Sequence, residues 1–272
     1  MMIEKKINSL SLLFFENLLR YEDIDHFVST RTGGHSFSPY DSLNLSFNVG
    51  DDPEKVLKNR KLLAEALSIQ LTSLTTAKQI HDGHVKVVSK GMRGRGCGDY
   101  RGAINGTDAM VTNVPDICLM ILLADCVPIL FCDPSKRAIG VAHAGWRGTL
   151  RLIAEKTVKA LQEHFGCLPE DIKVGIGPSI GPCCYEVGRE VVSEVEHAFG
   201  STNHYIKGES QEGKGYFDLW GANLIQLLRT GIPKENIESA RTCTRHHTNS
   251  LFSYRHQNGK TGRFGAGIFI TP

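Results

Sequence analysis

Residues 117–149 read ICLMILLADCVPILFCDPSKRAIGVAHAGWRGT. Three apolar runs lie in this stretch, at 117–123, 129–131 and 138–142. Each is too short and too uniformly apolar for a surface helix, so the three read as adjacent buried strands. Asp125-Cys126-Val127-Pro128 separates the first two, and His143 closes the third at the turn Gly145-Trp146-Arg147-Gly148-Thr149. Beyond that turn Leu150, Ile153, Thr157, Leu161 and Phe165 step by three or four until Gly166, which predicts a helix ending at the glycine.

Working outward, Asp51-Asp52-Pro53 supplies a capping carboxylate and a first-turn proline for a helix over about 53–68, on which Val56, Arg60, Leu63 and Leu67 share a face. Residues 172–176 read as a strand, 187–199 and 218–228 as helices, and 237–242, 251–255 and 264–270 as hairpin-like strands. There is no internal repeat or long linker. This mixed order predicts an α+β sandwich, a single domain over 1–272, rather than a regular βαβ alternation.

Composition narrows the function. Among 272 residues, 31 Lys and Arg oppose 29 Asp and Glu, and a net charge of +2 is far below the excess that phosphate neutralisation along a nucleic acid requires. The longest apolar run, 117–124, stops after eight residues, whereas a membrane span needs roughly 20. Lys5 and Lys6 precede the apolar stretch 10–15, but Ser11 and Glu16 interrupt it and no small-residue cleavage site follows, so a cytoplasmic protein is expected. Eight cysteines, two of them adjacent, suggest reduced thiols with chemical roles more than a disulfide framework.

Cys126 and His143 stand at the ends of neighbouring predicted strands, and Gln79-Ile80-His81-Asp82-Gly83-His84 offers a further imidazole from another segment. Two imidazoles and one thiolate match an open zinc site whose fourth position takes water or substrate. Taken singly, the same residues also read as a buried thiol, a satisfied core histidine and a solvent-facing turn. A structural zinc site is disfavoured, because no Cys-x-x-Cys pair occurs and adjacent Cys183 and Cys184 are too tight to share an ion comfortably. The turn at 145–149 opens a helix, so its amides and Arg147 could meet an anion such as phosphate; Arg147 could equally pack on Trp146. The glycine-rich basic stretch 91–98 could cover a substrate or be an ordinary surface loop. Tyr254-Arg255 and Thr261-Gly262-Arg263 could bind substrate or make surface ion pairs.

Gln79-Ile80-His81, Ala124-Asp125-Cys126-Val127-Pro128-Ile129-Leu130, His143-Ala144-Gly145-Trp146-Arg147-Gly148-Thr149 and Cys183-Cys184-Tyr185-Glu186-Val187-Gly188 together resemble the YfiH/YlmD family, long labelled a laccase domain or multicopper polyphenol oxidase. The resemblance runs from Ser29-Thr30-Arg31-Thr32-Gly33-Gly34 to Ser253-Tyr254-Arg255 and Thr261-Gly262-Arg263-Phe264. It implies a single-domain, layered α/β/β/α-type sandwich with mixed sheets. It also implies phosphorolysis of adenosine, inosine and 5'-methylthioadenosine, with adenosine deamination besides. The family's zinc triad falls on His81, Cys126 and His143, with Cu2+ as the alternative metal. Asp82 and His256 depart from the residues usual there, and His84 stays open as an alternative ligand.

Purine nucleosides and phosphate are therefore the expected partners, with no nucleic acid and no membrane. Asp125 and His84 are candidates for the proton donor, and Arg60, Arg147 and Arg255 for phosphate or substrate contacts. Three rivals remain. A copper oxidase would be expected to show His-x-His pairs, of which there are none. A cysteine hydrolase would use Cys126 as nucleophile and His143 as base. A protein that only binds nucleotides would use the anion-binding turn without turnover.

Overall fold

The structure, a computed structural model, describes residues 2–208 and 210–271; residues 1, 209 and 272, including both ends of the expected domain, lie outside the described residues. One sheet has six strands in the order β1 (Ile3–Ile7), β2 (Leu10–Phe14), β3 (Ile24–Ser29), β15 (Phe264–Ile270), β7 (Cys118–Leu123) and β4 (Leu74–Thr76). The second runs β14 (Ile237–Ser239), β10 (Lys173–Ile176), β8 (Val127–Asp133), β9 (Ala138–Ala144), β6 (Ala109–Thr112) and β5 (Val85–Val87). Both are mixed: β4–β7, β10–β14 and β5–β6 are parallel and the other pairs antiparallel. A small sheet places β13 (Gly215–Phe217) between β11 (Glu186–Val187) and β12 (Ile206–Lys207).

Strand alternation explains the layering. Leu119, Ile121 and Leu123 of β7 and Phe264, Ala266 and Ile268 of β15 meet Leu130 and Cys132 of β8 and Ile139 and Val141 of β9 in a core between the sheets. The opposite-facing residues Val127, Ile129 and Phe131 of β8 pack with Ile153, Val158 and Leu161 of α3 (Ile153–Phe165). On the outer side of the first sheet, Leu12, Phe27 and Met120 meet Leu63, Ala66 and Leu67 from α1 (Pro53–Ala66) and its C-terminus. Strands buried on both faces need apolar residues at every position, hence the unbroken runs in 117–142. The result is an α/β/β/α arrangement, as expected.

Several elements match the sequence reading closely. Helix α1 starts at Pro53 with the Asp52 side chain accepting a hydrogen bond from the Glu54 amide. Helices α4 (Arg189–Phe199) and α5 (Leu219–Arg229) also form, the latter capped by Asp218 on the Gly221 amide.

Other expectations are corrected. Strand β7 is not in the same sheet as β8 and β9 but faces them across the core. The expected helix after Thr149 instead begins as α2 (Trp146–Leu150) and restarts as α3 once Leu152 takes a left-handed conformation at φ 59°. No strand forms over 251–255, where the backbone turns: the His256 amide donates to Ser253 Oγ and the Gly259 amide to Tyr254 O. The closing strands are not hairpins either; β14 pairs in parallel with β10, and β15 lies between β3 and β7. Among the described residues no helix is long and apolar enough to cross a membrane.

Candidate active site

Cys126 immediately precedes β8 and His143 is the penultimate residue of β9, whose pairing sets Pro128 opposite His143. The two side chains are thus delivered to one end of the second sheet. His81 arrives from the segment after β4, which the Gln79 side chain fastens to β7. The Gln79 Nε2 donates to Leu122 O and its Oε1 accepts from the Leu122 amide, both at 2.9 Å. At His81 the backbone is left-handed, φ 59°. The ligating atoms of His81, Cys126 and His143 lie within 4.8 Å of one another, and the two imidazole rings meet edge-on with centroids 4.7 Å apart.

Asp108, buried just ahead of β6, organises this arrangement. Its carboxylate accepts from the His81 amide at 2.9 Å and the Asp82 amide at 2.8 Å, and His143 Nδ1 donates to it at 2.9 Å. That contact turns His143 Nε2 toward Cys126 and the open space in front of it. Burial alone would raise the Cys126 thiol, but the charge of His143 and hydrogen bonds from His143 and His81 outweigh it and bring it down to about 6. Burial would likewise lower His143; the Cys126 thiolate and the Asp108 carboxylate push it up to about 9. Despite burial, the hydrogen bonds from His143 and the Asp82 amide hold Asp108 below the usual carboxylate range.

This donor set fits a single divalent metal ion. Two nitrogens and one thiolate converge from one side, leave the cavity side open and have a carboxylate behind one imidazole, the arrangement expected around catalytic zinc. His84 is outside the cluster, its Nδ1 lying 3.3 Å from Gly106 O, so of the two imidazoles in 79–84 only His81 joins it.

The triad opens into a cavity of about 510 Å³. Its lining includes all the arginines singled out from the sequence, but they are held differently. Arg60 is fully buried: its guanidinium donates to the carbonyls of Leu45, Gly96 and Cys97, and it stacks on Phe47. Its hydrogen bonds thus go to the protein's own backbone. Arg147 is exposed and stacks on Trp146 at 4.1 Å, and Arg255 lies over Tyr185 at 5.2 Å while donating to Glu186 O.

Asp125, at φ 87°, accepts from Thr244 Oγ1 and from the Arg255 amide, both at 2.6 Å. Its carboxylate thereby ties the cavity rim together. Gly96, Asp99 and Tyr100 of the stretch 91–102 line the cavity, and the Gly96 and Cys97 carbonyls accept from Arg60.

Sequence reasoning missed Asp108 and Tyr185, while Arg263, left open between substrate binding and a surface ion pair, lines the cavity. For Asp108 the available signal is a carboxylate directly before the apolar run 109–111. The structure brings Cys183 and Cys184 together with residues the sequence did not link to them. In the turn at 181–184 their sulfurs converge with Cys243 and His246.

Residues 25–271 match the family model described as multi-copper polyphenol oxidoreductase laccase. A Bacteroides thetaiotaomicron protein named purine nucleoside phosphorylase is 38% identical over 260 residues, covering 95% of this chain and 96% of its own. Adenosine deaminase RL5, from an unknown prokaryotic organism, is 34% identical over 91% of this chain and 94% of its own. The crystal structure of YlmD from Geobacillus stearothermophilus superposes with a TM-score of 0.92 at 35% identity, covering 98% of both chains.

Proposed function

This chain belongs to the multi-copper polyphenol oxidoreductase laccase family, that of YfiH and YlmD, and from that membership we propose that it is a zinc-dependent purine nucleoside enzyme. It cleaves adenosine, inosine and 5'-methylthioadenosine with phosphate to the free base and the (methylthio)ribose 1-phosphate, and it deaminates adenosine to inosine. Residues 1–272 act as one YfiH-like domain, in the cytoplasm, on nucleosides rather than nucleic acid or membrane.

The observation that carries this reading is the His81–Cys126–His143 cluster, with Asp108 behind it, opening into a cavity of about 510 Å³. That volume lies within the range that encloses small molecules. The relatives' names point to nucleosides and phosphate as the occupants.

His81, Cys126 and His143 would hold Zn2+, which would supply Lewis acidity at this end of the cavity. The protein's own groups do the rest. Asp108 fixes the His143 tautomer so that Nε2 faces the metal position. Trp146 and Tyr185 supply aromatic wall for a purine to pack against, and Arg147 and Arg255 offer guanidinium groups to phosphate as charge develops in glycosidic cleavage.

The test is chromatography of products from zinc-loaded protein and adenosine, with and without phosphate, beside His143→Ala. Phosphate-dependent adenine and ribose 1-phosphate, or inosine without phosphate, each absent in the variant, are expected. No product in either condition overturns the reading.

One observation favours a second reading. Cys126, His143 and Asp108 stand in the order of a thiol nucleophile, base and orienting carboxylate, and Cys126 is brought down to about 6. A cysteine hydrolase on this geometry keeps its activity when metal is chelated, whereas the nucleoside enzyme loses it. For copper oxidation of phenols the His2Cys donor set can bind Cu2+, but the sequence holds no His-x-His pair to gather the further coppers of a multicopper oxidase.

A further inference from the structure

Outside the active site, the Sγ atoms of Cys183, Cys184 and Cys243 and a ring nitrogen of His246 all lie within 4.8 Å of one another. We propose that these four residues form a second zinc site, structural rather than catalytic, which clamps together two loops that build the wall of the active-site cavity.

The distances suit a tetrahedral ion. With Zn–S near 2.3 Å, neighbouring sulfurs of such a site stand about 3.8 Å apart. Cys184 Sγ lies 3.1 Å from His246 Nε2, and Cys183 Sγ lies 3.9 Å from Nδ1 of the same ring. Only one of the two ring nitrogens can ligate the ion, and with one ring nitrogen and the three sulfurs all within 4.8 Å of one another, side-chain rotations bring the four donors into coordination. Three thiolates and an imidazole are a soft, tetrahedral set that favours zinc, and four protein ligands leave no position for substrate.

The backbone is already shaped for it. Cys243 and His246 are spaced as Cys-x-x-His in a turn closed by the His246 amide on Cys243 O at 3.1 Å. The Cys184 amide closes the facing turn on Gly181 O at 2.9 Å. The Gly181 amide donates to Cys243 Sγ at 3.3 Å, a contact that stabilises a thiolate. None of the three cysteines is in a disulfide. Cys184 and Cys243 are buried while Cys183 and His246 are exposed, so an ion can enter from solvent and is shielded on its inner side.

The position gives the site its consequence. One loop carries Ile180 and Tyr185 into the cavity, and the other carries Thr244 to Asp125, next to Cys126. They already touch: the Ser179 amide donates to Thr242 O and the Thr244 amide to Ser179 O. The Ile180 amide donates to Asp125 O. An ion bound behind these contacts fixes that wall without facing the substrate.

The experiment is elemental analysis and native mass spectrometry of the full chain, purified without chelators or a histidine tag. Two zinc ions per wild-type chain are expected, with one retained in Cys126→Ala/His143→Ala and one in Cys183→Ser/His246→Ala. A single ion in wild type that the first double variant abolishes, or a chain two daltons lighter with a disulfide among the three cysteines, overturns the proposal. Should a variant fail to fold, cobalt substitution of the unaltered chain decides. Thiolate-to-cobalt absorption corresponding to three or four thiolates per chain supports the site, and absorption corresponding to one or none overturns it. None of these readouts depends on turnover, so the result stands whether or not the nucleoside reading does.

Discussion

Asp108 and His143 are joined twice: His143 Nδ1 lies 2.9 Å from Asp108 Oδ1, and the His143 amide donates to Asp108 O at 2.8 Å. The same carboxylate accepts the amides of His81 and Asp82, so one buried residue sets the approach of two of the three side chains of the proposed metal site.

Asp108→Asn keeps the shape but removes the charge and turns an NH2 group against a backbone amide or His143 Nδ1–H. Loss of a carboxylate behind a ligating histidine typically costs 10–100-fold in metal affinity. Competition with a chromophoric chelator should show zinc affinity reduced by about that factor. An affinity within about twofold of wild type would refute the organising role of Asp108.

The arginines should separate by function. Arg60→Lys replaces three directed donors to Leu45, Gly96 and Cys97 carbonyls by one ammonium, and should cost about 2–3 kcal/mol of stability in a denaturant titration. Arg147, exposed on Trp146 and without a carboxylate partner among the described residues, should behave oppositely. Arg147→Ala is expected to leave Tm near the wild-type value and raise the phosphate KM about tenfold, the equivalent of one charged hydrogen bond. An unchanged phosphate KM removes Arg147 from the phosphate site.

Residues 117–149 disclose most of the layered core because strands buried on both faces write themselves as continuous apolar runs. Cys126 and His143 are legible as partners for the same reason, since the strands that carry them are visible. The N-terminal strands are not. β1 is largely exposed, with Lys5 and Lys6 among its residues, and the apolar β2 after two lysines reads only as a failed leader segment. What links them is Asn8 at φ 55° in a two-residue turn, a weak local signal. Long-range convergences such as Asp108 on His143, or Cys243 on Cys184, are properties of topology and leave no trace in spacing. The failed strand at 251–255 shows the converse: Leu251 and Phe252 are apolar because they plug the core, while the backbone follows hydrogen bonds to Asp125 and within its own turn.

Thr244→Val tests the tie between the cavity rim and its support. It preserves volume but removes the hydroxyl that donates to Asp125 Oδ1 at 2.6 Å, leaving a buried carboxylate oxygen without that partner. A loss of about 1–3 kcal/mol is expected, seen as a drop of several degrees in Tm by calorimetry. Because the same carboxylate holds the Arg255 amide, nucleoside KM should rise more than kcat falls. A Tm within about 1 °C of wild type contradicts the tie.

His26 should make the fold acid-sensitive. It is fully buried in β3, its Nε2 accepts from the Phe15 amide at 2.8 Å, and burial, aided by Lys5, pushes its pKa down to about 3 from the ordinary 6.5. The unfolded chain therefore takes up a proton between about pH 6.5 and 3 that the folded chain refuses, and stability falls with pH throughout that window. Between pH 7 and pH 5 this one residue should remove about 2 kcal/mol. His26→Gln keeps an acceptor for the Phe15 amide but cannot titrate. Urea titrations at both pH values should show a smaller acid loss in the variant by about that amount, at the cost of lower stability at pH 7. Equal acid losses in the two proteins would assign the sensitivity to another group.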